Sequence, residues 1–187
     1  MDIARLICRL TIGGLFIGHG MQKLFGWFGG SGIEGTEKLM ASLKVEPPKE
    51  SAWAAGLTET GAGTLLAAGL ATPLAASGLT GVMTTAIRKA HWSNGFWNYN
   101  GGYEYNLVLI TTLAALTESG PGALSLDRAL GIERRGTGWA IGAAALGVAA
   151  SLAASEAGHR LAEQHEQRSG ELRSADADKQ HGLSATR

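Results

Sequence analysis

The stretch TGAGTLLAAGLATPLAASGLTGVMTTAI, residues 60–87, lies between Glu59 and Arg88 and holds no ionisable side chain. A helix crosses a hydrocarbon core of ~30 Å with about 20 residues at 1.5 Å rise each, so this run is too long for one crossing. Leu70-Ala-Thr-Pro73 sits in its middle, where proline and the residue before it favour a break. The reading is a tight hairpin of two membrane spans, 52–71 and 73–90.

Outward from that hairpin the same pattern recurs. Gly136–Ser155 is uncharged and long enough to cross alone, Leu10–Gln22 is interrupted only by His19, and Asn106–Thr117 carries no charge. These runs predict a first span over 4–26, a short one over 104–118 that extends into its flanks, and a trailing one over 136–155. Asp2 and Arg5 precede the first apolar run as they would in a signal peptide. No small-x-small cleavage site follows, so a retained span is expected. The fold class is therefore all-α, an integral membrane four-helix bundle plus a fifth C-terminal transmembrane helix. Residues 1–130 form the bundle, 136–156 the additional helix, and 157–187 a polar, disordered tail in which helix continues to about Arg173 at most.

Composition supports this. The 187 residues hold 16 Lys+Arg against 16 Asp+Glu, a zero net charge that gives no case for nucleic acid as a partner. Glycine reaches 28 with only 4 prolines, and lipid-embedded helices use small residues for close backbone packing. Gly14-x-x-x-Gly18 and Gly138-x-x-x-Gly142 are faces suited to it. Cys8 stands alone, which excludes an intrachain disulfide framework and any C-x-x-C redox or zinc motif.

Five spans put the N-terminus, the Pro73 turn and the 119–136 loop on one side. The 27–51 loop, the 91–103 loop and the tail lie on the other. Basic residues divide evenly, so orientation stays open. Aromatics do not divide evenly: Trp27, Phe28, Trp53, Trp92, Phe96, Trp97, Tyr99, Tyr103 and Tyr105 gather on the second side. An interfacial belt accounts for them, and so does a structured cap or the rim of a site for a flat ligand.

Polar groups converge at that same end. His19 and Lys23 share one helical face with Gln22 beside them, Glu59 lies about 10 Å inside the second span, His91 and Asn94 follow the third, and Glu104 opens the fourth. Two histidines and two glutamates raise a metal site. They come from separate helices without H-x-x-x-H or E-x-x-H spacing, so no metal is expected. On the opposite side Asp127 could pair with Arg5 or Arg9 as a structural clamp.

The ordered motifs carry a family resemblance. They are Arg9-Leu-x-x-Gly13-x-x-Phe16-x-x-His19-Gly20-x-x-Lys23-Leu24-Phe25-Gly26, Glu59 with Gly61 and Gly63, Met83-x-x-Ala86-Ile87 and His91-x-x-Asn94-Gly95-Phe96. Gly102-Tyr103-Glu104-Tyr105 and Gly120-Pro-Gly-x-x-Ser125-x-Asp127 complete the set. Over about residues 5–128 the chain resembles the DoxX family of bacterial membrane proteins. The resemblance implies a four-helix bundle in the bacterial plasma membrane and a link, uneven across members, to quinone-coupled oxidation of sulfur compounds or thiols and to oxidative-stress complexes. His19, Lys23, Glu59, His91, Asn94 and Glu104 match the family's polar positions.

Three functions compete. In the first, a membrane redox subunit binds a quinone: His19 and Lys23 donate to its carbonyls and Glu59, His91 or Glu104 relays protons. Gln22, Trp27, Asn94, Phe96 and Tyr103 then line the slot. No haem, iron–sulfur or dithiol motif is present, so a soluble redox enzyme would have to act as partner. In the second, the bundle is a non-catalytic scaffold anchoring such enzymes. In the third it is a small proton-coupled transporter. A homo-oligomer is compatible with all three.

Overall fold

The computed structural model describes residues 2–184, all of its regular structure helical. The helices are α1 (Asp2–Phe25), α2 (Gly32–Ser42), α3 (Pro48–Ala68), α4 (Thr72–Ala86), α5 (Glu104–Ser119), α6 (Leu126–Ala129) and α7 (Thr137–Ser184). α1 packs on α3, α3 on α4, and α4 also holds α5 and α7. α4 is thus the central element, and its inward face of Ala75, Ala76, Leu79 and Met83 meets Phe16, Leu66, Leu113 and Leu116.

The hairpin break falls where proline predicted it. α3 ends at Gly69 in the left-handed region (φ 66°), and Pro73 occupies the first turn of α4, where its missing N–H costs nothing. At its far end α4 passes into a π-helical turn, Ile87–His91, and a 3₁₀ turn, Trp92–Asn94. α5 does not extend into its flanks as the sequence reading expected. A left-handed Gly101 (φ 78°) and a buried Gly102 precede it, and Gly120-Pro121 follows.

α1 and the Thr137–Ser169 part of α7 are long and apolar enough to cross a membrane. The outer surface is correspondingly apolar: Ile3 is 70% exposed, Leu74 64% and Ile141 64%. In water such a surface would drive association, whereas lipid tails cover it without loss.

Several expectations change here. The fifth helix does not trail: α7 lies against α4 and α5. A Cβ added to Gly147 would come within 2.5 Å of the Ser77 carbonyl oxygen, and Thr85 Oγ1 and Ser151 Oγ are 2.7 Å apart. The close-packing glycines are not the expected pairs. Gly14, Gly18, Gly138 and Gly142 have open space around them, while Gly13, Gly20, Gly56 and Gly63 bring α1 onto α3. On α1 and α7 the inward face lies one or more positions away from the quoted motifs. The 27–51 loop contains a helix, α2. The sequence reading allowed helix to about Arg173 and disorder beyond it; the backbone is helical to Ser184, and residues 185–187 lie outside the described residues. No proline follows Pro121, and Ala, Glu, Arg and Gln are good helix formers.

Candidate functional site

α1 and α3 run side by side, and their glycine contacts bring polar side chains together near the C-terminal end of α1. Lys23 Nζ donates to Glu59 Oε2 at 2.6 Å. Glu59 is buried, at 2% exposure, while the Lys23 side chain is 25% exposed. A carboxylate at this depth requires a cation or strong donors, since an unpaired charge in a low-dielectric interior costs several kcal/mol. One turn back on α1, His19 Nδ1 and Gln22 Oε1 lie 3.1 Å apart, and Gln22 Nε2 donates to the Phe28 carbonyl at 3.4 Å. Trp27 follows the end of α1 directly, its ring 5.8 Å from Phe25 and 6.3 Å from Phe28.

Two residues that sequence reasoning missed complete this end. Thr36 of α2, 1% exposed, donates to the Lys23 carbonyl at 3.2 Å and fixes α2 across the end of α1. Thr60, next to Glu59, has a buried hydroxyl with no hydrogen-bond partner among the described residues. Neither carries a motif, and threonine is ordinary in apolar helices, so no sequence signal singled them out.

The remaining sequence-chosen residues form a separate knot in the 91–104 loop. His91 Nδ1 lies 2.7 Å from the Gly101 carbonyl, Asn94 Nδ2 donates to the same oxygen at 3.2 Å, and Glu104 Oε2 accepts from the Asn98 amide at 3.0 Å. Tyr103 stacks on Trp92 at 5.3 Å, and Phe96 meets Trp97 and Tyr103 edge-on. Among the described residues no hydrogen bond or aromatic pair joins this knot to the Lys23–Glu59 group. The ten residues thus fall into two sets, His19, Gln22, Lys23, Trp27 and Glu59 in one, and His91, Asn94, Phe96, Tyr103 and Glu104 in the other. A groove of about 330 Å³ lined by Glu34, Glu37, Lys38, Ala41 and Pro48 involves none of them.

At the opposite end of the bundle the clamp exists in a different form. Asp127 accepts from the Ala71 and Thr72 amides at 2.8 and 3.1 Å and from Thr72 Oγ1 at 3.0 Å, which caps α4. Arg9, fully buried, donates to the Ala67 and Leu124 carbonyls at 3.0 and 2.6 Å, and Arg5 pairs with Asp2 at 3.5 Å. Asp127 is therefore hydrogen-bonded by the orphan amides of a helix start, which the sequence could not place beside it, with neither arginine within ion-pair distance among the described residues.

The family model described as DoxX matches residues 4–92, covering α1 to α4 and reaching His91 but not Asn94, Phe96, Tyr103 or Glu104. The "Inner membrane protein YphA" of Escherichia coli (strain K12) is 30% identical over 132 residues, 66% of this chain and 87% of that protein. No solved structure matches the chain. Together with the apolar outer surface and the spanning lengths of α1 and α7, these likenesses identify the chain as a membrane protein belonging to the DoxX family.

Proposed function

We propose that this protein is the membrane subunit of a quinone-linked redox system acting on sulfur compounds, thiols or oxidative stress, with α1, α3, α4 and α5 as a four-span bundle and α7 as a fifth span. The observation that carries this is the Lys23–Glu59 pair, 2.6 Å long, inside the α1–α3 seam with His19 one turn away. An ion pair buried among apolar helices is costly to keep, and membrane proteins retain such groups mainly where protons, ions or ligands pass.

The donor set suits a quinone carbonyl. His19 and Lys23 are half-buried. Nδ1 of His19 donates to Gln22 Oε1, which leaves Nε2 of the neutral ring an acceptor, and one Lys23 proton goes to Glu59, so the other ammonium protons remain to donate. A bound quinone supplies two-electron redox chemistry. Lys23 would orient its carbonyl and hand it one proton, His19 Nε2 would accept from the quinol hydroxyl, and Glu59, left facing a neutral lysine, would take up the replacement proton. The chain has no redox centre motif of its own, so a soluble enzyme delivers the electrons.

The test is quinone-dependent activity in membranes with Glu59→Gln, which keeps shape and removes the charge. Loss of activity with the protein still folded is expected, and unchanged activity refutes the relay. A scaffold reading is favoured by the 91–104 knot, whose Trp97 and Tyr99 are 55% and 82% exposed beyond the bundle. In that case Glu59→Gln lowers stability without a specific loss of activity.

A further inference from the structure

A second polar corner lies where α7 leaves the bundle, and nothing in the redox reading uses it. Arg88 Nη1, in the π-helical turn that ends α4, donates to Ser155 Oγ of α7 at 3.2 Å. Lys89 Nζ, the next residue, donates to the Lys44 carbonyl at 3.2 Å, in the connection between α2 and α3. That connection also touches α7, where a side chain on Gly158 would strike the Glu46 carbonyl. One turn deeper, the Thr85 and Ser151 hydroxyls meet at 2.7 Å.

Neither Arg88 nor Lys89 has a carboxylate within 4.0 Å among the described residues. Their partners are neutral oxygens, which orient a cation without neutralising it. Lys44, exposed, adds a third positive charge. Glu156 of α7 is paired with Arg160 at 2.9 Å. The π-turn widens the helix where both basic residues sit, a feature frequent at functional sites. Trp92 follows at once and is 65% exposed, in keeping with headgroup depth.

We infer that this corner binds the phosphate of an anionic phospholipid. A cluster of cations where α4, α7 and the α2–α3 connection meet, beside an exposed tryptophan, suits such a group. The guanidinium of Arg88 takes two phosphate oxygens, Lys89 and Lys44 add point charges, and the Ser155 hydroxyl fixes the fork.

Native mass spectrometry of the full chain in neutral detergent tests this with phosphatidylglycerol and phosphatidylcholine. Preferential retention of phosphatidylglycerol is expected, weakened about fivefold for each cation removed in Arg88→Gln and Lys89→Gln. Arg88→Lys should keep the preference, and so should Arg134→Gln, which lies over Trp139 at the other end. Equal retention of the two lipids by the parent protein overturns the inference, as does a Gln variant with the preference intact. Displacement of the lipid by inorganic phosphate would show a site for the free anion instead. If either Gln variant fails to fold, the parent's salt dependence decides: retention that does not fall with rising salt overturns the site.

Discussion

Removing the Lys23 ammonium while Glu59 stays in place should be the most damaging single change at the α1–α3 seam. The Glu59 side chain is 3% exposed and, among the described residues, its only ion-pair partner is Lys23. Deleting one member of a buried pair costs about 3–5 kcal/mol, because the other charge is left uncompensated. Lys23 is 25% exposed, so part of its interaction is already screened by solvent and the lower end applies. For a chain of this size, about 3 kcal/mol lowers the midpoint of thermal unfolding by roughly 6–12 °C. Glu59→Leu should cost less, since the lysine left behind can carry its ammonium along its stem to water. Lys23→Met with Glu59→Leu replaces the pair by apolar groups of similar volume and should return to within about 1 kcal/mol of the parent. Thermal unfolding of the four detergent-solubilised proteins, followed by the reactivity of the lone half-buried Cys8, measures the cycle. If Lys23→Met melts with the parent, or the double variant is no more stable than Lys23→Met, the seam is not held in this way.

Two further outcomes follow from the packing and the cap. Gly147→Leu should loosen α7 from α4 and cost about 1–3 kcal/mol, because a Cβ there would lie 2.5 Å from the Ser77 carbonyl oxygen, while Gly142→Leu, in open space, should leave the melting point unchanged. Asp127→Ala should remove three hydrogen bonds from the start of α4 and lower stability by about 2 kcal/mol, read as earlier thermal unfolding, with Asp127→Asn recovering part of the loss.

The sequence carried most of the fold, because hydropathy and proline positions act locally. The run 60–87 and Pro73 placed α3 and α4 within a few residues, and uncharged runs placed α1, α5 and α7. What it could not carry is which face of a helix meets which neighbour. Glycine so frequent offers several equivalent spacings, and only three-dimensional packing separates Gly13 and Gly147, which touch neighbours, from Gly14 and Gly142, which do not. The candidate site was legible to the same degree. His19, Lys23 and Glu59 stand out because ionisable groups are rare in spans. The division from His91 and Glu104 was not legible, since the 91–104 loop ties its polar groups to its own backbone, at Gly101 and Asn98. Asp127 shows the same limit: its partners are backbone amides, which no side-chain pattern reveals.

A quinone held by the His19–Lys23–Glu59 group would stay with the protein through purification. Lipid extraction and redox titration of the purified, detergent-solubilised protein test it most directly, on the parent and on His19→Ala. About one quinone per chain is expected in the parent, and its loss in the variant, with folding retained in both. A parent protein that carries no quinone, and takes none up when it is added, would contradict it.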